Sequence, residues 1–196
     1  MKSKINELFS NQTSGRLTML SCFLLVALIT IAQAESESLI RNPLFSEDAN
    51  ADGWPDSWGK LPGASWLKAD EGFPFMRLEQ KAPGEMRMIY LKVPIPAGAS
   101  EVVFSGKVRA EAVVPGDQIW FDARIISQYI DVEGKKMNDG KPRPYIIAKK
   151  GTCAWKEFEY TYPVPEGAAF FQIMAGHFQT ESGTVDLAEL SLRVAE

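Results

Sequence analysis

Short apolar segments that alternate with polar residues recur between residues 65 and 194 of this chain, and turn-forming residues separate them. The separators include Ala82-Pro83-Gly84 and Pro163-Val164-Pro165-Glu166-Gly167. An apolar residue at every second position gives a strand one face that can pack against a core, whereas proline and glycine interrupt ladders and favour turns. After the first 34 residues, no window keeps a helical period over three turns. The pattern therefore predicts an all-β protein.

Nine segments fit this pattern and are predicted to be strands. They are residues 65–69, 75–79, 86–93, 101–110, 118–131, 145–149, 155–162, 168–178 and 184–194. Short strands with a turn about every ten residues are typical of an antiparallel β-sandwich or jelly roll. We predict one such domain over residues 35–196, a length that supports a hydrophobic core of its own.

The first 34 residues are predicted to be a secretory signal peptide. Basic residues such as Lys2 and Arg16 precede an apolar run of 15 residues, 17–31, and Ala32-Gln33-Ala34 follows it. A basic start, a short apolar run and a small-x-small exit characterise such segments. A membrane span needs roughly 20 residues, so the run is short for an anchor. We expect a secreted or periplasmic protein without a membrane span after cleavage.

Charge and motif content exclude several classes of function. A net charge of -4, from 21 Lys and Arg against 25 Asp and Glu, lacks the basic footprint of nucleic-acid binding. Cys153 is the only cysteine outside the predicted signal peptide, so no internal disulfide is expected. The only histidine is His177, and the sequence lacks zinc-binding cysteine pairs, a G-x-S-x-G motif and a phosphate loop. No catalytic residue is predicted.

Alternation in two predicted strands assigns their side chains to faces. One parity is apolar and is predicted to face the core: Val102, Phe104, Gly106, Val108, Ala110, Ile119, Phe121, Ala123 and Ile125. The other parity is predicted to point out of one common sheet and carries Lys107, Arg109, Trp120, Asp122 and Arg124. An aromatic ring among charged hydrogen-bonding groups indicates a binding surface. The alternative is a solvated face whose tryptophan covers a loop.

An acidic loop near the N-terminus has the spacing of a cation site. Side-chain oxygens alternate at Asp48, Asn50 and Asp52 and precede a glycine. Calcium takes six to eight oxygen ligands, so this spacing predicts a bound Ca²⁺. The twelfth position from Asp48 is Gly59, which excludes a standard EF-hand. The alternative is an Asx-rich turn between the first two strands.

Four stretches of the chain occur in an order that matches a known kind of secreted module. They are residues 39–45 with 52–58, residues 105–109 with 114–117, residues 120–125 with 131–134, and residues 155–158 with 164–168 and 183–192. In sequence these are N-P-x-F with D-G-W-P, the V-P-G-D turn, W-F-D-A-R-I, and W-K-E-F with V-P-E-G-A and G-T-V-D-L. The chain thereby resembles the carbohydrate-binding jelly-roll modules found beside bacterial glycoside hydrolases.

The resemblance implies a non-catalytic module that binds a poly- or oligosaccharide through a concave sheet face. It places on that face Trp120, Asp122, Arg124 and Arg109, with His177 and Gln179 from a nearby strand. A carbohydrate is therefore the expected ligand, and a separate glycoside hydrolase is a candidate partner.

The same resemblance implies a structural calcium ion that links the first loop to the last strand. The matching positions are Asn42, Glu47 and Asp186. The family pattern has a doubled aspartate before the last strand, whereas this sequence has only Asp186.

Two other functions are alternatives. A structural or protein-interaction sandwich of the cell envelope would use the Trp120 face as an interface. A jelly-roll polysaccharide lyase would draw on Gln172, His177, Arg124 and Tyr129. Gln172 and His177 have opposite parity, which places them on opposite sides of one strand and argues against the lyase.

Overall fold

The computed structural model describes residues 37–69 and 72–195, so the predicted signal peptide lies outside the described residues. Within them the chain forms nine strands and no helix. The strands are β1 Ala64–Lys68, β2 Pro74–Gln80, β3 Met86–Pro94, β4 Glu101–Val114, β5 Ala123–Ile130, β6 Tyr145–Ala148, β7 Gly151–Pro163, β8 Phe170–Phe178 and β9 Ser182–Val194. Accordingly, no helix in residues 37–69 and 72–195 is long and apolar enough to cross a bilayer.

The strands form two antiparallel sheets that pack as a sandwich. The five-stranded sheet has the order β1-β2-β9-β4-β7, and the four-stranded sheet has the order β3-β8-β5-β6. Most neighbours are distant in sequence, since β9 pairs with both β2 and β4. The predicted all-β sandwich is confirmed, and each of the nine predicted strands overlaps an observed one.

One hydrophobic core fills the space between the sheets. Its centre is aromatic: the ring centroids of Phe104 and Phe171 lie 6.0 Å apart, and Tyr129 contacts Phe171 at 5.2 Å in an edge-to-face arrangement. Edge-to-face pairs of this kind add about 1 kcal/mol each to the free energy gained from burial. The inward parity predicted for β4 is confirmed, because Val102 and Val108 are completely buried.

The segment that precedes β1 closes one end of the sandwich through two tryptophans. Trp54 donates its indole N–H to the carbonyl oxygen of Trp58 at 2.9 Å, and Trp58 donates to the carbonyl oxygen of Asn42 at the same distance. The ring of Phe45 lies 4.5 Å from that of Trp58. Because both indole N–H groups have acceptors, the rings are buried without leaving these donors unsatisfied.

The predicted strand over residues 118–131 begins five residues late, at Ala123. Before it the chain turns: Gly116 N–H donates to the carbonyl oxygen of Phe121, and Phe121 N–H donates to that of Gln118, both at 2.9 Å. Ile119 is 87% exposed, so its predicted core position is wrong. Period-two alternation holds only where the backbone is extended, and here it is not.

Gly176 is the position where the sheets tolerate a side chain least. Its φ is +140°, and an added Cβ would overlap the carbonyl oxygen of Arg87 and lie 2.7 Å from Leu78 Cδ1. We expect Gly176→Ala to lower the free energy of unfolding by about 3 kcal/mol or more, through overpacking and backbone strain together. Urea denaturation measures the change.

Gly151→Ala is the matched control. Gly151 has φ +77° and nothing within 4 Å of an added Cβ, so this substitution causes only backbone strain, about 1 kcal/mol. Equal losses of stability in the two variants would contradict the packing argument.

Candidate functional site

The outer face of the four-stranded sheet carries the residues best arranged for ligand contact. By register, Arg124 of β5 lies beside Gly176 of β8, and Gln128 lies beside Gln172. On the other side of β8, Tyr90 and Lys92 of β3 lie beside Met174 and Gln172. We call this surface the open face and define it by Tyr90, Lys92, Trp120, Arg124, Gln128 and Gln172.

Two aromatic rings stand out from the open face. Tyr90 is 55% exposed and Trp120 is 50% exposed. Trp120 belongs to the loop before β5, and its ring packs at 6.2 Å against Phe121, which in turn lies 6.0 Å from Phe178 on β8. The indole is thus supported from beneath by the sheet while its other surface faces solvent.

A row of hydrogen-bonding groups crosses the open face at Gln128 and Gln172. Gln128 Nε2 donates to Gln172 Oε1. A primary amide offers two N–H donors and two acceptor lone pairs, and this bond uses one group on each side chain. Lys92 continues the row, with its ammonium 3.9 Å from the ring centroid of Phe170. Gln128 is only 5% exposed, so Gln172 and Lys92 are the members of the row that a hydroxyl-rich ligand can reach.

Asp122 and Arg124 act as a pair at the end of this face. The Asp122 carboxylate is 2% exposed and accepts a hydrogen bond from Arg124 Nε at 2.5 Å. Its second oxygen, Oδ2, is buried and has no hydrogen-bond partner among the described residues. The guanidinium carbon of Arg124 lies 5.5 Å from the Phe178 ring centroid. Asp122 therefore positions Arg124, whose side chain is itself only 12% exposed.

Lys107 and Arg109 do not share a sheet with Trp120 and Arg124, so that prediction is wrong. They lie on β4, which pairs with β7 and β9 in the five-stranded sheet. Parity assigns the two faces of each strand, but it does not determine which strands become neighbours.

On the five-stranded sheet these cations neutralise buried or neighbouring carboxylates. Asp186 is held by Arg77 Nε at 2.8 Å and by Arg109 Nη2 at 2.6 Å. Lys107 lies 3.0 Å from Glu189 and 3.5 Å from Glu157. Hydrogen bonds to Asp186 and Glu189 raise the pKa values of Arg77 and Lys107 respectively. The carboxylates and cations of this face are therefore paired with one another.

His177 lies inside the sandwich and does not reach the open face. It is completely buried, with Nδ1 2.8 Å from the Thr180 hydroxyl and Nε2 3.2 Å from the carbonyl oxygen of Leu78. A carbonyl only accepts, so Nε2 carries the proton and Nδ1 accepts from Thr180. The next predicted residue, Gln179, follows β8 in a turn with φ +56°. The inference that Gln172 and His177 face opposite sides is confirmed.

The tyrosine that the polysaccharide-lyase alternative requires is also not available on the open face. Tyr129 is completely buried between the sheets, and burial raises the pKa of its hydroxyl. Together with the inward position of His177, this leaves Arg124 and Gln172 as the lyase candidates on the open face.

The predicted calcium ligands already accept hydrogen bonds from the protein. Asn42 Oδ1 accepts from the backbone N–H groups of Ser46 and Glu47 at 2.9 and 3.1 Å. Asp48 accepts from those of Asp52 and Gly53, both at 3.0 Å. These oxygens therefore point at donors, not at a common centre.

Among the remaining predicted ligands, Asn50 and Asp52 accept from the backbone N–H groups of Asp52 and Trp54, and Asp186 belongs to the arginine cluster of the five-stranded sheet. Glu47 is exposed at the surface. In residues 37–69 and 72–195, no group of three or more His, Cys, Asp or Glu is arranged to hold a metal ion. The residues do not fit a calcium ion in this arrangement, and the loop is an Asx-rich turn.

Comparison with known proteins identifies the fold. No family model and no curated protein matches the chain. Among solved structures, the enzymatically active domain of bacteriophage CBA120 tailspike protein 4 aligns with a TM-score of 0.53 and 10% identity over 71% of this chain. This chain spans only 18% of the tailspike's length.

Two smaller proteins are matched along their whole length. TmCBM61, solved with β-1,4-galactotriose, has a TM-score of 0.50 and 15% identity over 82% of this chain and 100% of its own. A putative sugar binding protein from Bacteroides thetaiotaomicron has a TM-score of 0.47 and 12% identity over 81% of this chain and 100% of its own. The fold of this chain is therefore similar to that of TmCBM61. The resemblance seen in the sequence is confirmed at this level.

The open face was only partly predicted. Asp122 and Arg124 form a pair, but Asp122 is buried and Trp120 lies in the loop before β5, so neither has the outward strand position predicted for it. Tyr90 and Gln128 were not proposed for this face. The signal for Tyr90 is present in the sequence, because Met86, Met88, Tyr90 and Lys92 share one parity of a predicted strand.

Burial makes His177 a source of acid sensitivity. Desolvation is the main reason that its pKa falls to about 4, against 6.5 for the free side chain. Between these values the unfolded chain binds more protons than the folded one, so stability is present at neutral pH and is lost as the pH falls from 6.5 to 4. We expect a loss of up to about 3 kcal/mol from this residue.

Two measurements check this prediction. As the only histidine, His177 gives a single ring signal whose titration by NMR should have its midpoint near pH 4. Urea denaturation of His177→Gln should give a lower stability at pH 7 but a smaller decrease between pH 6.5 and 4 than in the unsubstituted protein. A midpoint near 6.5 would contradict the buried neutral imidazole.

Proposed function

We propose that this protein is a non-catalytic carbohydrate-binding module and that its ligand, a poly- or oligosaccharide, lies along the open face. The observation that carries the proposal is the pair of half-exposed rings, Tyr90 and Trp120, on the same face as the partly exposed amide of Gln172. A sugar ring has an apolar C–H face and an equatorial belt of hydroxyls. Aromatic surfaces suit the first and amide groups suit the second.

The shape and charge of the open face favour a neutral, extended glycan. Its groups lie on three adjacent strands that are about 4.8 Å apart, so they form a surface wide enough for a chain of sugars. Arg124 is partly neutralised by Asp122 at 2.5 Å, which leaves hydrogen bonding as its main contribution.

The fold supports the same function by analogy. TmCBM61 is similar in fold and was solved with β-1,4-galactotriose. Because fold alone does not imply function, the proposal depends on the residues of the open face.

Substitution of the two exposed rings tests the proposal. We expect the protein to be retained on at least one insoluble neutral glycan among β-1,4-galactan, xylan and cellulose. Trp120→Ala and Tyr90→Ala should each weaken that retention by about tenfold or more, since each removes the ring that stacks on a sugar. Depletion isotherms with the purified protein give the affinities.

Leu67→Ala is the control, because Leu67 is an exposed apolar side chain on β1 of the other sheet and belongs to neither the open face nor its loops. It should leave retention on the neutral glycan unchanged, and thermal melts should show that all three variants are folded. Retention that survives both open-face substitutions would refute the site. Failure to bind any of the three glycans, with self-association that shields Trp120 fluorescence, would instead indicate a protein interface.

A further inference from the structure

A cleft lies at the edge of the sandwich that is formed by β6 of one sheet and β7 of the other. It has a volume of about 740 Å³, within the range of small-molecule sites. Its floor consists of Tyr145, Tyr160 and Tyr162, and its wall consists of residues 140–144, Gly-Lys-Pro-Arg-Pro. None of these residues belongs to the open face.

The cleft exists because two edge strands differ greatly in length. β6 has 4 residues and β7 has 13, so the inward-facing aromatics of β7 continue past the end of β6. Tyr160 and Tyr162 are therefore only partly covered, and Tyr160 is 44% exposed. Elsewhere in the sandwich, the inward-facing side chains of the strands are covered by the facing sheet.

The tyrosine rings form a continuous ladder along this edge. The rings of Tyr160 and Tyr162 are inclined by 25° with centroids 6.1 Å apart, and Tyr162 continues to Phe171 in the core at 6.0 Å and 28°. Near-parallel neighbouring rings present a flat surface anchored in the core. Burial raises the pKa values of Tyr145 and Tyr162, so their hydroxyls stay protonated and can donate hydrogen bonds at neutral pH.

The wall of the cleft is basic. Lys141 and Arg143 are exposed, and neither forms an ion pair with a described residue. The lining of the cleft contains no aspartate or glutamate. By contrast, Arg124 is paired with Asp122 and Arg109 is paired with Asp186. Two unneutralised cations in a net acidic chain favour an anionic ligand.

We propose that this cleft, defined by Tyr145, Tyr160, Tyr162, Lys141 and Arg143, is a second binding site and that it takes a short acidic oligosaccharide. The tyrosine ladder stacks on the apolar face of a sugar ring, and the two cations pair with its carboxylate or sulfate groups. The site differs from the open face in its position, its sheet edge and the charge of its ligand.

Isothermal titration of the purified protein with trigalacturonate tests the proposal. Trigalacturonate should bind, and β-1,4-galactotriose, which lacks the carboxylates, should bind this cleft at least about tenfold more weakly. A sulfated trisaccharide in a parallel titration distinguishes recognition of a carboxylate from recognition of any anion. Chemical-shift changes should fall on Tyr145, Tyr160 and Tyr162.

Variants separate the two sites. The double substitution Lys141→Gln and Arg143→Gln removes charge from exposed side chains and should weaken trigalacturonate binding by about tenfold or more. The single substitution Tyr160→Ala should weaken the same binding to a similar extent. Trp120→Ala should leave the affinity for trigalacturonate unchanged. Because the double variant changes only exposed side chains, it tests the site even if Tyr160→Ala is unstable.

Three results would overturn the proposal. The first is that neither trigalacturonate nor the sulfated trisaccharide binds. The second is that binding survives the double substitution. The third is that the chemical-shift changes occur at residues of the open face and not at the three tyrosines. Tighter binding of an acidic peptide than of either saccharide at the same tyrosines would assign the cleft to a protein partner. Failure here leaves the open-face prediction for neutral glycans unaffected, since that uses different residues and ligands.

Discussion

The burial of one face of each sheet against the other determines where the functional side chains on the strands can lie. Phe104, Tyr129 and Phe171 meet between the sheets, and their burial requires strict alternation along β4, β5 and β8. Once that alternation is fixed, the remaining parity of each strand must face outward. Tyr90, Gln128 and Gln172 are thus placed on one surface by the requirements of the core.

The outer faces of the two sheets differ in the kinds of side chains that they carry. On the five-stranded sheet, Asp186 lies between Arg77 and Arg109, and Lys107 lies between two glutamates. Such a face needs no ligand to satisfy its charges. On the four-stranded sheet the aromatic and amide groups are only partly engaged with one another. An external molecule can therefore form more favourable contacts there. The difference between the faces, more than the fold, is the reason to place binding on one of them.

The local parts of this structure were predictable from sequence, and the long-range parts were not. Alternation and proline or glycine breaks located all nine strands, because both act within a few residues. Lys107 and Trp120 were placed on one sheet because parity carries no information about partners, and β4 pairs with β9 from the far end of the chain. His177 was drawn into the site by resemblance alone, whereas its burial depends on Leu78, 99 residues away. The tyrosine cleft depends on the unequal lengths of β6 and β7, which no local pattern reveals.

The position of β9 in the five-stranded sheet has a consequence for how the chain reaches this structure. β9 is the last strand in sequence, yet it lies at the centre of the sheet and pairs with β2 on one side and β4 on the other. Before residues 182–194 have been synthesised, β2 and β4 have no partner between them, and their apolar faces remain exposed. Long-range pairings of this kind form slowly and leave partly folded chains open to aggregation. The five-stranded sheet is therefore completed late, when β9 joins the β1–β2 pair to the β4–β7 pair.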